Sequence, residues 1–553
     1  MQPGTAPRSM CRPDNSSSAP TWIAASTGRW LGPVASPSSK TPAWLRPWRS
    51  GGSHAGTRRS RWPPEADLCS TDLPLLSSYS RMTTADFTAL AELLPAERVI
   101  TAAERLESLS RDFYWYSPVL KRDLSDKLAE VVVQPTTRDE VVSLVRWAHQ
   151  RRIPLTLRGA GTGNYGQCIP THGGMVMDLA ALDTIHSISS DGIVTCDPAA
   201  RLGAIERVAR QSGWELRCYP STYVKASVAG FCAGGSGGIG SIEWGALREN
   251  GTVHSLTVLT LEAEPREVRL SGPDIFQVLH AWGTNGIIIE VELRLAPKTN
   301  WGQLAVAFDD FSGAFDFTEA IARNDSFRKR LTTVFEWPIP GSFVPLLKWL
   351  PSGKAVAFFE VADDQLQRLT DAARAAGGDP CFVAPFSEPR RGAQLSDYTW
   401  NHTTLWALKQ DPSLTYLQCG FSATEARSQF RALKARYGSD FLLHIEFVRS
   451  GGIITPGAIP VVRYTDDQRL QGMIEFCASI GVSVANPHVN FLEASGRWRP
   501  DDAKRKAKEM YDPRGLLNPG KMRDFTPQAS DNPGTPLTQK DCLPAAGPQT
   551  VSA

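Results

Sequence analysis

The stretch Arg158-Gly-Ala-Gly-Thr-Gly-Asn-Tyr-Gly-Gln167 follows an apolar strand pattern at Pro154–Leu157. Closely spaced glycines let backbone N–H groups point at a phosphate without obstruction by Cβ, and glycine tolerates the positive φ that such nests need. The dinucleotide fingerprint GxGxxG fits poorly, because the glycines recur at every second position and no helix start follows. A Walker loop is excluded, since the Gly-Lys-Ser/Thr ending is missing. The alternative is an ordinary tight turn.

A second glycine-rich stretch lies about sixty residues further along the chain. It comprises Tyr219-Pro-Ser-Thr222, Lys225-Ala-Ser-Val-Ala-Gly230 and Gly234-Gly-Ser-Gly-Gly-Ile-Gly240. A flexible linker is the alternative, but Val228–Ala233 is apolar and the stretch does not lie at a change of composition. Two nests at this spacing suit an extended ligand with a pyrophosphate in its middle.

Around these loops, short strands alternate with helices as far as Pro297, which indicates an α/β or α+β domain. Strands are predicted at Ala129–Gln134, Pro154–Leu157, Met175–Asp178, Ile193–Cys196, Leu256–Leu261, Glu267–Leu270 and Ile287–Leu295. Helices are predicted at Ala85–Leu94, Val141–Gln150, Leu202–Gln211 and Asp274–Trp282. Thr137 and Glu140 form a possible capping box for the second of these helices.

From about residue 300 to 490 the pattern starts again and predicts a second α+β unit. Its predicted helices are Phe315–Arg323, Gln365–Ala376, Ala423–Tyr437 and Asp467–Ile480, and its predicted strands are Ala355–Val361, Thr415–Gln418, Phe441–Phe447 and Val482–Ala485. A last helix, Asp502–Met510, leads into Tyr511-Asp-Pro-Arg-Gly-Leu-Leu-Asn-Pro-Gly-Lys521.

Both ends of the chain differ from the middle. Residues 1–81 are rich in Ser, Pro, Arg and Trp and poor in acids, without helix or strand periodicity. This composition suggests either an organelle transit peptide or, as we favour, upstream sequence read in frame before a true start at Met82. The Pro-, Gly- and Ser-rich segment 524–553 is predicted to be disordered.

Composition limits the class of protein. The 553 residues carry a net charge of +2, which gives no reason to expect a nucleic-acid partner. No apolar run reaches the about 18 residues of a transmembrane helix. The ten cysteines form no CxxC pair, which argues against a structural zinc site and a disulfide framework, and a reducing cytoplasmic location is the simplest interpretation.

The order of these motifs resembles the p-cresol methylhydroxylase/vanillyl-alcohol oxidase (PCMH-type) superfamily of FAD-linked oxidases. Val133-Gln-Pro135, Arg158–Gly163, Pro220-Ser221, Ser227-Val-Ala-Gly230, Ala233–Gly238 and Gly286-Ile-Ile-Ile-Glu290 are similar to its flavin-domain segments. Asp512–Lys521 is similar to the tail of D-lactate-dehydrogenase-like members. The resemblance implies an α+β, two-subdomain FAD-binding domain at 96–297, an α+β substrate (cap) domain at 298–490 and a return segment at 491–523.

The resemblance also implies cofactor contacts, with the first loop holding the pyrophosphate. The implied contacts are Arg158, Gly159, Ala160, Gly161, Thr162, Gly163, Asn164, Gln167, Pro220, Ser221, Thr222, Ala226, Ser227, Gly230, Gly235, Gly237, Gly238, Gly286, Ile287, Ile288 and Asn518. Two departures matter. Gly235 replaces an Asn that is frequent in the second loop, and Thr162 occupies the position of a flavin-linking His, so FAD is expected to be noncovalent.

Oxidation of an alcohol or a 2-hydroxy acid by FAD needs a base for the hydroxyl proton, and a carboxylate substrate favours an Arg. The candidate bases are His402, His444 and His488, with Glu446 sharing a strand face with His444. Arg449 and Arg463 are candidate substrate anchors. For each of these residues a purely structural role is the alternative.

The expected reaction is hydride transfer from a CH–OH group, with oxygen or another acceptor reoxidising the flavin. The sequence shows no convincing metal motif, and none is predicted. An oxidase of aromatic alcohols is a rival if Tyr398, Trp400 and Trp406 line the pocket. A flavin-binding electron carrier and a nucleotide-binding module without flavin are the rivals from other classes.

Overall fold

A computed structural model describes residues 79–249, 251–387, 394–496 and 500–528. The chain divides into two units, Met1–Ser60 and Arg61–Ala553, and every described residue belongs to the second. The predictions for residues 1–78 and 529–553 therefore lie outside the described residues. At both ends, hydrogen bonds join the folded part of the chain to residues of the two end segments, 1–81 and 524–553, that the sequence set apart from it. Ser80 N donates to Arg152 O at 3.0 Å, and Gln528 N donates to Pro513 O at 2.7 Å.

The first sheet has four strands in the order β1-β2-β4-β3. Its strands are β1 (Val99–Ile100), β2 (Val131–Val133), β3 (Leu155–Arg158) and β4 (Met175–Asp178), and the helices of this region are α1 (Thr84–Leu93), α2 (Ala103–Leu109), α3 (Pro118–Asp123) and α4 (Arg138–Arg151). The pairs of β4 with β2 and β3 are parallel, whereas β1 is antiparallel. The three valines of β2 are all buried, as expected for a parallel strand covered on both faces.

The second sheet is antiparallel, with the order β5-β6-β10-β8-β9 and with β7 paired to β10. Its strands are β5 (Ile185–Ile188), β6 (Ile193–Cys196), β7 (Trp214–Leu216), β8 (Val253–Leu259), β9 (Glu267–Ser271) and β10 (Ile287–Pro297), and its helices are α5 (Leu202–Gln211), α6 (Val228–Gly234) and α7 (Ser241–Trp244). α6 lies inside the second glycine-rich stretch, so this stretch is not a linker.

After Pro297 the chain builds an eight-stranded antiparallel sheet, β14-β11-β13-β12-β18-β19-β16-β21, and a small sheet, β15-β20-β17. The strands are β11 (Trp301–Phe308), β12 (Lys329–Phe335), β13 (Ala355–Ala362), β14 (Asp379–Ala384), β15 (Leu414–Tyr416), β16 (Gln418–Gly420), β17 (Phe441–Leu442), β18 (His444–Ser450), β19 (Ile453–Ala458), β20 (Val461–Arg463) and β21 (Ser483–Ala485). The helices are α8 (Phe311–Arg323), α9 (Leu366–Ala375), α10 (Asn401–Gln410), α11 (Ala426–Tyr437) and α12 (Asp467–Ser479), followed by α13 (Asp502–Tyr511).

The central strand β13 shows why the large sheet is buried on both faces. Its side chains alternate between two apolar clusters because successive residues of a strand point to opposite faces. Ala357 and Phe359 join the cluster under α8, α9 and α11, whereas Phe358 joins a cluster with Phe343 and Tyr398 on the other face. Tyr398, which lies just before α10, therefore packs on this second face of the sheet.

The C-terminal segment returns to the first sheet. Leu155 N donates to Leu516 O at 2.8 Å, and Asn518 N donates to Leu155 O at 2.7 Å. The segment that contains Asn-Pro-Gly-Lys521 therefore pairs along β3 at the edge of the first sheet, at the base of the first glycine loop. The strands of the first two sheets come before the end of β10 at Pro297, and those of the large sheet come after it. The exact domain boundaries stay a prediction.

The predicted α+β class is confirmed, but several local predictions are wrong. Thr137 caps α4, yet the carboxylate of Glu140 accepts from Thr136 N and Arg98 rather than completing a capping box. The predicted helix Asp274–Trp282 is a 3-10 turn, Gly272–Gln277, followed by left-handed residues. The predicted strands Thr415–Gln418 and Phe441–Phe447 each split between the two sheets, and β11, β12 and β14 were not predicted.

Candidate functional site

A cavity of about 810 Å³ lies between the glycine loops and the large sheet. One wall consists of the first loop, α6 and the residues that follow α6. The facing wall consists of the first turn of α10, the residue before it, and strands β16, β18 and β19. Its volume lies in the upper part of the range for small-molecule and cofactor sites, about 300–1,000 Å³.

The first loop is held from beneath by its own arginine. Arg158 Nη1 donates to Arg111 O at 2.6 Å, so the guanidinium is anchored under the turn. Gly161 has φ +63°, and a methyl group there would collide with that guanidinium. A methyl group on Gly163 would collide with Gln167 Oε1, which accepts from Tyr165 N at 3.1 Å. Gly161 is therefore required by conformation and by space, and Gly163 by space.

The second loop meets the first at Ser227. This residue is the N-cap of α6, and a methyl group on Gly159 would collide with its hydroxyl. Beyond α6, Gly235 has φ +60° and packs against His280. A methyl group on Gly237 would lie 2.9 Å from the Trp400 ring. The second loop thus contacts the first loop at one end and the facing wall at the other.

Most of the predicted cofactor residues line this cavity. Those in the lining are Arg158, Gly159, Ala160, Gly161, Thr162, Gly163, Asn164, Gln167, Pro220, Ser221, Thr222, Ala226, Ser227, Gly230, Gly237, Gly286 and Ile288. Gly235, Gly238, Ile287 and Asn518 lie behind the lining. Gly238 packs on the Tyr219 backbone, and Asn518 Nδ2 donates to Gln167 O and Trp282 O, which fixes the first loop indirectly.

A buried ionic group beneath the first loop was not predicted. Asp112 lines the cavity, and burial raises the pKa of its carboxyl, while the positive charges of Lys521 and Arg158 act in the opposite direction. Burial likewise lowers the pKa of the Lys521 ammonium, whose Nζ donates to Gly166 O at 2.6 Å. Asp112 precedes an aromatic run, Phe113–Tyr116, and this single acid beside apolar rings was the only available sequence signal.

The facing wall contains three of the six predicted catalytic residues: His402, Glu446 and Arg449. His402 Nδ1 donates to Asp397 O at 3.1 Å, which leaves Nε2 as the lone-pair nitrogen. Burial lowers the pKa of His402 below 6.5, so the ring is neutral at pH 7. Arg449 donates to Asp325 Oδ1 at 3.0 Å and to two backbone carbonyls, so its guanidinium is already engaged.

Glu446 connects two elements of this wall. Its Oε1 accepts from Trp400 N at 2.7 Å and lies 2.9 Å from His444 Nε2. The other ring nitrogen of His444 lies 3.2 Å from Ile459 O, so each ring nitrogen has an oxygen partner. Trp400 has φ +54° and ψ −138°, an unusual conformation for a residue other than glycine, immediately before α10.

The structure does not bring His444, His488 or Arg463 into the lining of the cavity. His444 stacks on Phe335 behind Glu446. His488 Nε2 donates to Tyr416 O at 2.9 Å and Nδ1 accepts from the Ser117 hydroxyl at 2.8 Å, and burial lowers its pKa to about 4. Arg463 pairs with Asp411 and Asp440. Each of these side chains has a complete structural role where it lies.

The cavity wall offers both hydrogen-bond donors and acceptors to a bound FAD. Buried polar atoms of the lining without a hydrogen-bond partner among the residues that the structure describes include Asp112 Oδ2, Asn164 Nδ2, Ser227 Oγ, Trp282 Nε1, Trp400 Nε1 and Asn401 Oδ1. Such orphaned groups are costly unless a ligand satisfies them. Asn164 and Ser227 lie at the two loops where a diphosphate is expected, so the residues present fit the cofactor.

Comparison with known protein families identifies the segment of the chain that forms the glycine-loop wall of the cavity. Residues 129–269 match the family described as an FAD binding domain. This segment begins just before β2 and ends in β9, and it includes both glycine loops. The predicted FAD cofactor is thereby confirmed, whereas the predicted extent of its domain, 96–297, stays a prediction.

Three curated relatives are similar to the chain at low identity. They are the D-lactate dehydrogenase of Archaeoglobus fulgidus (25% over 35% of this chain), the mitochondrial D-2-hydroxyglutarate dehydrogenase of Bos taurus (26% over 53%) and the D-2-hydroxyglutarate dehydrogenase of Xanthomonas citri pv. viticola (24% over 80%). The chain spans about half the length of the first two relatives, 45% and 52%, and 97% of the third.

A solved structure of alkyldihydroxyacetonephosphate synthase has the same fold. It superposes with a TM-score of 0.63 at 13% identity and covers 81% of this chain and 88% of its own. Two further observations hold for the residues that the structure describes. No helix among them combines the length and apolarity needed to cross a bilayer, and no three His, Cys, Asp or Glu side chains are grouped as metal ligands.

Proposed function

We propose that this chain, which carries an FAD binding domain at residues 129–269, is an FAD-linked oxidoreductase that oxidises the CH–OH group of a small organic acid. The observation that carries the proposal is His402. It lines the same cavity as the glycine loops, and Nε2 is the ring nitrogen that carries the lone pair. The names of the relatives support a 2-hydroxy acid, since D-lactate and D-2-hydroxyglutarate both belong to this class.

Bound FAD supplies a hydride acceptor, and the protein handles the proton. When the C–H hydrogen of the substrate leaves as hydride, the hydroxyl proton passes to Nε2 of His402 and the C–O bond becomes C=O. Nδ1 keeps its proton and its bond to Asp397 O throughout. Because burial lowers the pKa of His402, its ring is neutral before the reaction and Nε2 can accept this proton.

The residues behind His402 act by holding it in place. Glu446 accepts from Trp400 N, and Trp400 is the N-cap of α10, so the carboxylate fixes the first turn that carries His402. A negative charge at a helix N-terminus is also favourable for the helix dipole. His444 holds Glu446 from the other side. We therefore assign Glu446 and His444 as positioning residues.

The aromatic-alcohol alternative receives less support. Of the three aromatic residues on which it depends, Trp400 lines the cavity, whereas Tyr398 and Trp406 stack on each other with ring centroids 5.5 Å apart outside the lining. A carrier without turnover remains the alternative that an experiment must separate from an enzyme.

The test is anaerobic bleaching of the FAD-loaded protein by a panel of 2-hydroxy acids and aromatic alcohols. We expect a 2-hydroxy acid to bleach it, and we expect His402→Asn to slow the bleaching by roughly 10²–10⁴-fold with unchanged FAD content. His186→Asn is the matched control, because this exposed histidine pairs with Asp197 outside the cavity.

The pH profile gives a second readout. Because the pKa of His402 is lowered, the wild-type rate should persist below pH 6.5 and fall only at more acidic pH, as the ring gains a proton. His402→Asn should lose this acidic limb. Bleaching by dithionite but by no member of the panel would instead favour an electron carrier.

A further inference from the structure

An apolar cluster joins the aromatic run Phe113–Tyr116 to α10, the helix that carries His402. The members of this cluster that also line the cavity are Phe113, Tyr116, Trp400, Leu405 and Ile459. We call these five residues the apolar patch. The patch is both a contact between the two walls of the cavity and a surface that a bound molecule can touch.

The apolar patch adjoins His402 on α10. Leu405 follows His402 by three positions, a spacing that makes two side chains neighbours on one face of a helix. Both residues line the cavity, and Leu405 packs in the cluster that contains the aromatic run. A substrate whose hydroxyl group lies at His402 therefore places its neighbouring atoms beside the patch.

Hydrogen bonds to the backbone hold the aromatic run between the two walls. Phe113 N donates to Gly163 O of the first glycine loop at 2.7 Å. At the other end of the run, the Thr415 hydroxyl of β15 donates to Tyr116 O at 2.8 Å. The run is thus fixed both to the loop where the diphosphate is expected and to the small sheet that follows α10. The position of the patch is therefore set by the fold.

The charged side chains around the apolar patch do not favour a second anionic group. Burial raises the pKa of the Tyr116 phenol, and no charge of a described residue contributes to this shift. The guanidinium of Arg449, on the same wall as His402, is already engaged by an aspartate and two carbonyls. The charge of Lys409 acts on His402, but its ammonium lies over the ring of Trp406, which is outside the lining.

We propose that the apolar patch binds the side chain of the substrate, and that the substrate is a 2-hydroxy acid whose side chain is apolar and larger than a methyl group. The inference rests on the proposed function and narrows its substrate class. An apolar side chain is removed from water when it packs on the patch, which favours binding. A second carboxylate would instead lose its hydration there without gaining a partner.

The test is isothermal titration of the FAD-loaded protein with carboxylates that have no hydroxyl group to oxidise. Hexanoate is longer than propanoate by three CH₂ groups, and hexanedioate carries a second carboxylate in place of the terminal methyl group of hexanoate. Each buried CH₂ group should strengthen binding about fourfold, so we expect hexanoate to bind more tightly than propanoate by roughly tenfold or more. Hexanedioate should bind more weakly than hexanoate by roughly tenfold or more.

Two leucines of α10 provide a variant and its matched control. Leu405→Ala removes part of the apolar patch and should reduce the preference for hexanoate over propanoate roughly threefold or more. Leu408 packs in the same cluster but lies outside the lining, so Leu408→Ala should keep the preference of the wild type. The comparison of chain lengths in the wild type needs no variant and decides the question even if Leu405→Ala folds poorly.

FAD affinity is measured for both variants. Equal binding of hexanoate and propanoate by the wild type, or equal binding of hexanoate and hexanedioate, would overturn the proposal. A loss of FAD affinity in Leu405→Ala with an unchanged preference would assign the apolar patch to the flavin ring instead. The titration needs no turnover, so its failure is distinguishable from failure of the oxidoreductase. A protein that prefers hexanoate but is bleached by no 2-hydroxy acid would retain the apolar subsite and contradict the proposed reaction.

Discussion

The two walls of the cavity are built in different ways. The wall on the FAD binding domain consists largely of backbone, since its shape follows from glycines such as Gly159 and Gly161. The facing wall consists of side chains that distant segments bring together: Trp400 N reaches Glu446 across 46 positions of sequence. The comparison teaches that a cofactor cradle can be encoded locally, whereas the substrate side depends on how a whole sheet is paired.

The first and largest prediction concerns the buried contacts that support the facing wall. His488 joins β15, through Tyr416 O, to Ser117 at the start of α3, and it must stay neutral for both bonds. Its pKa falls from 6.5 to about 4 on folding, so its contribution to stability is complete above pH 6.5 and is lost as the pH falls through 4. The change amounts to about 3 kcal/mol.

Urea unfolding of wild type and His488→Gln, measured at several values between pH 7 and pH 4, tests this prediction. We expect the wild type to lose more stability on acidification than the variant, by up to about 3 kcal/mol. Asp112 and the other acids titrate in both proteins, and the opposing charge of Asp467 is kept, so the difference isolates His488. Parallel curves for the two proteins would contradict the buried neutral ring.

Sequence patterns predicted the residues of the glycine-loop wall better than those of the facing wall. Seventeen of the predicted cofactor residues line the cavity, because glycine spacing and strand ends are local signals. Gly235 and Gly238 lie behind the lining for a reason that spacing does not reveal: their backbones pack on His280 and Tyr219. The match to an FAD binding domain confirmed the cofactor, whereas the individual contacts stay predictions.

On the facing wall, residue type alone did not separate His402 from His444 and His488. All three are histidines near aromatic residues, and only the pairing of β12 with β18 and of β15 with β20 decides which of them reaches the cavity.

The second prediction addresses the backbone wall directly. A methyl group on Gly159 would displace the Ser227 hydroxyl and separate the two glycine loops, so Gly159→Ala should weaken FAD binding roughly 100-fold, or about 2.7 kcal/mol. Titration of the apoprotein with FAD, followed by flavin fluorescence, measures the effect. Gly472→Ala is the control, since its added methyl group meets nothing within 4 Å. Equal FAD affinity of the two variants would mean that contact between the loops is not required.

The third and smallest effect should be found at Trp400, where the facing wall stores backbone strain. Its φ of +54° and ψ of −138° suit glycine and disfavour every residue with a Cβ, a cost on the order of 1 kcal/mol. Trp400→Ala and Trp400→Gly both remove the ring that packs on Gly237, so their difference reports on the backbone alone. We expect Trp400→Gly to be the more stable by about 1 kcal/mol in urea unfolding, even after allowing for the greater freedom of glycine in the unfolded chain. If Trp400→Ala were equally stable, the peptide would not be strained. The hydrogen bond from Trp400 N to Glu446 would then belong to an ordinary turn. It would not be evidence that the facing wall holds a strained peptide in place to position His402.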